Sequence, residues 1–282
     1  MPDRPALPTR AYDADKHSAG RVLIVAGSER YPGAAILAAR AAQRAGAGYV
    51  TLAVPGERVQ LIAQSAVWSV PVIAAPAQDG AFSADAADAL DRVASGFDAI
   101  VIGPGLTVTP GVITLVSRVV TMQGAPLVID ADALNALATD PLPLFQRTAP
   151  AVITPHGDEA RRLAEALGIV PDSDAVSSYR ALAGPARIAV LKGADTAVCS
   201  ESDEAVCTLG TPALATAGTG DVLSGVIGAL VAQGLDPYAA ARAGVEIHAI
   251  AGSVAEERST TLSVIAEDVL DALPEALARY GS

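Results

Sequence analysis

Lysine is almost missing from this 282-residue chain: Lys16 and Lys192 are the only two. The 19 basic residues face 31 acidic ones, leaving a net charge of -12, and no basic run stands out. A duplex-binding face is therefore excluded, since it needs clustered positive charge. Two cysteines rule out a disulfide scaffold and any four-cysteine metal site. No apolar run approaches the roughly 18 residues of a membrane helix, because charges or glycine interrupt each one. The first twenty residues carry Asp3, Arg4, Arg10, Asp13, Asp15 and Lys16 without an apolar core, so they do not read as a secretory signal. The expectation is a soluble, cytoplasmic protein of a reducing compartment that binds neither nucleic acid nor membrane. What is present points to a packed fold: 51% hydrophobic and 18% charged residues are incompatible with disorder. The acidic balance repels anionic ligands, so binding one requires local donors or a divalent cation.

Short apolar runs alternate with alanine-rich segments of helical period. Strands are expected at 21–27, 49–54, 99–102, 126–130, 151–154 and 188–191, with helices at 33–45, 83–94, 111–120 and 157–167. Continuous β-branched strands separated by helices predict an α/β fold, a mainly parallel central sheet with helices on both faces. Segments 196–200 and 205–209 predict an antiparallel hairpin, and the chain beyond Gly218 reads as helical with breaks at 234–237 and 258–263. Without a linker or repeat, residues 1–282 read as one domain, with 1–16 as a loosely ordered lead. In such sheets, ligands bind at the carboxyl ends of the strands.

The loops at those ends are rich in chemistry. Ala217-Gly218-Thr219-Gly220-Asp221-Val222-Leu223-Ser224-Gly225 opens a long apolar helix. Gly218 and Gly220 let amides point outward at a helix N-terminus, an anion hole of uncharged donors with Thr219 between them. Asp221 lies in the first turn, where dipole and amides are expected to keep it ionised at neutral pH, poised to deprotonate an attacking hydroxyl. The residues equally fit a plain helix start. Neither a P-loop nor a dinucleotide fingerprint is present. Lys192-Gly193 at a strand exit suits a point charge beside a nucleotide, or a solvated turn. Gly103-Pro104-Gly105 permits close backbone approach. Asp130 ends a strand, and Asp132 reads as a helix N-cap. His156, with Asp158 and Glu159, sits at another strand exit. His248 and Glu246 read as core or interface residues, and Cys199 and Cys207 as buried apolar ones.

With these loops in order, residues 17–280 resemble the ADP-dependent NAD(P)H-hydrate dehydratases, a ribokinase-like family. The resemblance rests on 20–28, Tyr31-Pro-Gly-Ala-Ala-Ile-Leu37, Arg44-Ala-Gly-Ala-Gly48, Gly103-Pro-Gly105, Asp130-Ala-Asp-Ala-Leu-Asn135, Thr154-Pro-His156 with Glu159, Leu191-Lys-Gly-Ala194 with Thr196, and 215–225. It implies a three-layer ribokinase-like sandwich. The implied activity removes water from the S epimer of NADHX or NADPHX, with ADP converted to AMP and phosphate. Asp221 would be the catalytic base, and the amides at 218–220 would hold the transferred phosphoryl group. Ala34, Gly105, His156 and Asp221 match substrate-contacting positions. Lys192, Gly193, Ala194, Asp195, Thr196 and Gly220 match the nucleotide site. Mg²⁺ is the implied cofactor, its ligands unassigned, and a homotetramer the implied assembly. Gly157-Asp158 departs from the family, where a glycine commonly stands immediately before the glutamate. Members are often fused to an epimerase domain; only about twenty residues precede the first strand here, so a separate epimerase is expected. The rival readings are a hydroxymethylpyrimidine, thiazole or pyridoxal kinase of the same superfamily, and a non-catalytic nucleotide-binding regulator.

Overall fold

The computed structural model describes residues 4–171 and 176–281; the first three residues of the expected lead segment lie outside them. In chain order the elements are β1 (Arg21–Val25), α1 (Pro32–Arg44), β2 (Tyr49–Pro55), α2 (Gly56–Ala66), β3 (Val72–Ala75), β4 (Ala77–Gln78), β5 (Ala81–Phe82), α3 (Ala86–Ala94), β6 (Ala99–Ile102) and α4 (Pro110–Thr121). They continue with β7 (Leu127–Ile129), α5 (Ala131–Leu137), α6 (Leu142–Phe145), β8 (Ala151–Ile153), α7 (Gly157–Leu167), β9 (Arg187–Leu191), β10 (Thr196–Cys199), β11 (Glu204–Cys207), α8 (Thr219–Ala232), α9 (Pro237–Arg258) and α10 (Ala266–Tyr280).

Strand side chains alternate between two cores. Val22, Val101, Val128, Val152 and Val190 face one side, against α1, α8, α9 and α10. Leu23, Ile100, Leu127, Ile129, Ile153 and Leu191 face the other, against α3, α4, α5 and α7. A Cβ on Gly228 of α8 would lie 2.3 Å from Val101 Cγ2, so that helix tolerates nothing larger there.

The nine strands of the main sheet run in the order β11-β10-β9-β8-β7-β6-β1-β2-β3. All neighbours from β9 to β3 are parallel, while β10 is antiparallel to both β9 and β11. The predicted α/β fold with helices on both faces is what forms, and the hairpin pairs Thr196 with Cys207 and Cys199 with Glu204. Strand order reverses at β1, whose neighbours are β2 and β6, so the exits of β1 and β6 flank a natural crevice. Among the described residues, no helix is long and apolar enough to cross a membrane.

Several elements lie outside the sequence expectations: α2, β3, the β4–β5 ribbon and α6. In α2 only Val59 and Ala63 are buried, too thin a stripe to announce a helix after Pro55-Gly56. The lead segment touches the body: Tyr280 Oη donates to Pro5 O at 2.9 Å, and Arg4 Nε lies 3.0 Å from Glu246 Oε2.

Candidate active site

The exits of β1, β6, β7, β8 and β9 lie side by side along one sheet edge. Four strand spacings separate β1 from β9, about 19 Å, which matches the reach of two ligands held end to end. At the β1–β6 end, the loops are joined through backbone: Gly27 N donates to Pro104 O at 2.8 Å. Gly105 has φ +63°, and a Cβ there would stand 2.7 Å from Ala34 Cβ and 2.9 Å from Tyr31 O. Gly105 and Ala34 are therefore neighbours, and glycine is needed both for conformation and for space. Asp132 is not an N-cap. The cap position of α5 is Asp130, and Asp132 Oδ2 instead accepts from Thr107 N at 2.8 Å, pinning the loop after β6.

The next exits bring charge. Asp130 is 1% exposed and fully engaged. Its Oδ1 accepts from Thr154 Oγ1 at 2.6 Å and pairs with Lys192 Nζ at 2.9 Å, while Oδ2 accepts from Ser224 Oγ at 3.0 Å. Lys192 is thus no solvated turn residue. Burial by itself would lower its pKa, but the Asp130 and Glu159 carboxylates outweigh that and hold it raised, so the ammonium stays charged. Beyond the strands, His156 and Lys192 pair as a parallel bridge, with Lys192 N donating to Pro155 O at 2.9 Å.

His156 is half-exposed and caps α7. Asp158 N donates to its Nδ1 at 3.2 Å, and Glu159 Oε2 accepts from His156 N at 3.0 Å. Because Nδ1 accepts, Nε2 carries the hydrogen and faces Glu159 Oε1 at 3.2 Å. Glu159 is buried, and its pKa is raised by burial first, with Lys192 opposing.

At the start of α8, Gly218 takes the left-handed conformation, φ +95°. Val222 N makes the first helical bond, to Gly218 O at 3.3 Å. The amides of Gly218, Gly220 and Asp221 have no acceptor among the described residues, so three donors of the first turn point outward. Thr219 turns inward: its hydroxyl donates to Leu214 O at 2.9 Å and Thr216 O at 3.0 Å, and its amide lies 3.4 Å from Thr216 O. Gly220 faces the charged cluster, since a Cβ on it would lie 3.4 Å from Lys192 Nζ and 3.9 Å from Asp130 Oδ2.

Asp221 is partly buried beside this cluster, and its ionisation differs from the sequence expectation. Burial, then the Asp130 charge, push its pKa up to about 7, with Lys192 opposing. The helix dipole favours the carboxylate, but three neighbouring acids and desolvation win. A carboxyl group titrating near neutrality suits a general base better than one fully ionised.

A cavity of about 690 Å³ opens beside this point. One wall is Lys192, Gly193, Ala194, Asp195 and Thr196; Gly220 and Thr219 stand at one end, and Leu214, Val245 and Ala249 give it an apolar body. The proportions suit a nucleotide: donors and one cation for phosphates, apolar surface for a base. Among the described residues no group of three His, Cys, Asp or Glu side chains is placed to hold a cation, and both Asp130 oxygens are already engaged. The side chains do not form a magnesium cage.

The family model for NAD(P)H-hydrate dehydratase matches residues 22–275. The chain belongs to the NAD(P)H-hydrate dehydratase family. It is 42% identical, over 97% of its length, to a bifunctional NAD(P)H-hydrate repair enzyme of Salinibacter ruber, of which it covers 51%. The chain spans about half the length of several curated relatives it matches. It is 35% identical to an ADP-dependent (S)-NAD(P)H-hydrate dehydratase of Xanthomonas campestris, covering 97% of this chain and 93% of that protein. Among solved structures, the Bacillus subtilis ADP/ATP-dependent NAD(P)H-hydrate dehydratase co-crystallised with ATP and Mg²⁺ superposes with TM-score 0.76. It shares 26% identity, over 97% of this chain and 94% of that one. A Thermotoga maritima ribokinase shares the fold, with TM-score 0.56 at 14% identity.

Sequence reasoning left Thr154 and Ser224 without roles, and it took Asp130 only as a strand end. The usable signal was the scarcity of lysine. A lone Lys192 at one strand exit and a lone Asp130 at another, on a ligand-binding edge, are natural partners. His248, read as a core or interface residue, is buried and also reaches the site. It lines the cavity with its Nε2 2.9 Å from Thr219 O, and a histidine inside an alanine-rich helix was its only mark.

Proposed function

We propose that this dehydratase-family chain removes water from the S epimer of NADHX or NADPHX, consuming ADP and releasing AMP, phosphate and the restored NADH or NADPH. The observation that carries this reading is Asp221: a carboxyl group pushed up to about 7 by burial and neighbouring acids, in the first turn of α8 beside the outward amides and next to Gly220, which lines the cavity. The activity for which the Xanthomonas campestris relative is named supports the same assignment.

In this reading the hydrated nicotinamide ring lies against Ala34, Gly105 and His156, and the adenine nucleotide against Lys192, Gly193, Ala194, Asp195 and Thr196. Asp221 takes the proton from the C6 hydroxyl, whose oxygen attacks the terminal phosphorus of ADP. The bond from that phosphorus to the bridging oxygen breaks, and AMP leaves. The amides of Gly218, Gly220 and Asp221 receive charge developing on the phosphoryl oxygens. Hydroxide is a poor leaving group and phosphate a good one. The C6–O bond then breaks with phosphate departing, and C5 gives up a proton to restore the ring.

The test is to incubate the chain with NADHX, Mg²⁺ and either ADP or ATP while following the reduced-nicotinamide absorbance. Recovery of absorbance with equimolar AMP in the ADP arm is expected. No recovery with either nucleotide, together with phosphorylation of a vitamin precursor, would overturn it in favour of an ordinary kinase.

A further inference from the structure

The mechanism above leaves a buried histidine of the cavity wall unused. His248 is 8% exposed, lies on α9 between Val245 and Ala249, and lines the nucleotide cavity with both of them. Its Nε2 stands 2.9 Å from Thr219 O. A carbonyl oxygen can only accept, so Nε2 carries the hydrogen. Burial pushes the pKa down to about 4; the Thr219 bond opposes this and the Lys192 charge adds to it, so the ring is neutral. Nδ1 therefore keeps its lone pair. It has no hydrogen-bond partner among the described residues and is not closed off from solvent, so on the cavity wall it is open to a donor.

We propose that His248 reads the bound nucleotide, its Nδ1 accepting a hydrogen bond from a donor on the nucleoside half of ADP. The inference rests on the dehydratase reading, because it takes ADP as the occupant of the cavity. Phosphate oxygens near neutrality offer no hydrogen to an acceptor and would be repelled by its lone pair, so the partner lies on the ribose or the base. Those donors are the 2′ and 3′ hydroxyls and the adenine 6-amino group. Two of the other cavity hydroxyls are engaged: Thr211 Oγ1 binds Glu256, and Thr196 Oγ1 lies 3.3 Å from Gly193 O. His248 also touches the phosphate end through Thr219. One ring thus links the phosphate-binding turn with recognition of the nucleoside.

The experiment measures binding of ADP, inosine diphosphate, 2′-deoxy-ADP and 3′-deoxy-ADP by calorimetry, to the unaltered chain and to His248→Gln. Glutamine places an amide donor within reach of Thr219 O but no acceptor at the Nδ1 position. ADP should bind the variant roughly three- to tenfold more weakly. For one of the three analogues that loss should vanish, and that analogue names the donor. Unchanged ADP affinity in His248→Gln, or an equal loss for all four nucleotides, would overturn the proposal and leave the ring a support for Thr219 alone. If His248→Gln does not fold, His248→Asn keeps an acceptor near Nδ1 and should keep the discrimination between ADP and that analogue; losing it would equally overturn the proposal. A chain that binds no adenine nucleotide at all would instead remove the dehydratase reading itself.

Discussion

The two ends of the ligand edge are built on opposite principles. At the β1–β6 end the wall is backbone and small side chains, with Gly105 and Ala34 in near contact and the loops joined by Gly27 N to Pro104 O. At the β7–β9 end it is charge, Asp130, Lys192 and Glu159 crowded around the first turn of α8. In the proposed reading the first end selects by shape, through the close approach of Gly105 to Ala34. The second sets protonation, since every acid near Asp221 raises its proton affinity and Lys192 restrains it. Within the charged end a further contrast holds: Asp130 has three partners for two oxygens, whereas Asp221 makes no side-chain hydrogen bond to another described residue. A satisfied carboxylate holds structure, and an unsatisfied one is free to react.

Asp221→Asn should break this division most severely. It removes the base and leaves the amides, so turnover should fall by about 10² to 10⁴, while ADP binding by calorimetry stays within about threefold. A parallel loss of ADP binding would return Asp221 to a structural role. In the unaltered chain the base works deprotonated. The rate should therefore be constant well above pH 7 and fall toward tenfold per unit below it, following the pKa of about 7; a flat profile from pH 5 to 8 would sink the assignment.

Gly105→Val attacks the other end. A side chain at φ +63° and 2.7 Å from Ala34 Cβ displaces the loop, and a displacement near 1 Å costs about 10²-fold in kcat/KM. ADP affinity should be untouched; equal damage to both ligands would show that the two ends are not separable. Lys192→Met should be milder and of a different kind. Removing the charge that opposes the rise at Asp221 moves the acid limb of the rate profile upward, by about one pH unit. A limb that stays in place would detach Lys192 from the base.

Much of this arrangement was legible in the sequence because it is local. Strand Ala99–Ile102 and helix Gly157–Leu167 stand at the expected residues, since an unbroken apolar run and a capped amphipathic stretch are complete signals within ten residues. The glycines of the α8 turn were equally visible. What escaped depends on distance. Asp130 meets Lys192 across 62 residues and Ser224 across 94, and no periodicity records such a meeting. The ionisation of Asp221 was misjudged for the same reason: the helix start is written in neighbouring residues, whereas the acids that raise its pKa arrive from β7, α5 and α7. Segment α2 failed differently, with a buried stripe of two residues too weak to outweigh Pro55-Gly56.

The smallest predicted effect tests the same contrast through stability. The Asp221 carboxyl has its pKa raised from 3.8 to about 7 on folding, so between those values the folded chain holds a proton that the unfolded chain has released. Stability contributed by this group therefore falls as pH rises from about 4 to 7, and the penalty is complete above 7. Asparagine, which never ionises, escapes it. Asp221→Asn should accordingly melt higher than the unaltered chain at pH 8, by on the order of 1–2 kcal/mol after allowing for partial exposure, or about 2–5 °C. By about pH 3 the gap should close, because both states of the unaltered chain are then largely protonated. Asp130→Asn should behave in the opposite sense, destabilising the chain by leaving Lys192 buried without its counter-charge. A Tm difference for Asp221→Asn that does not change with pH would mean that the carboxylate is not held against its own ionisation, and the division of labour between the two aspartates would fall.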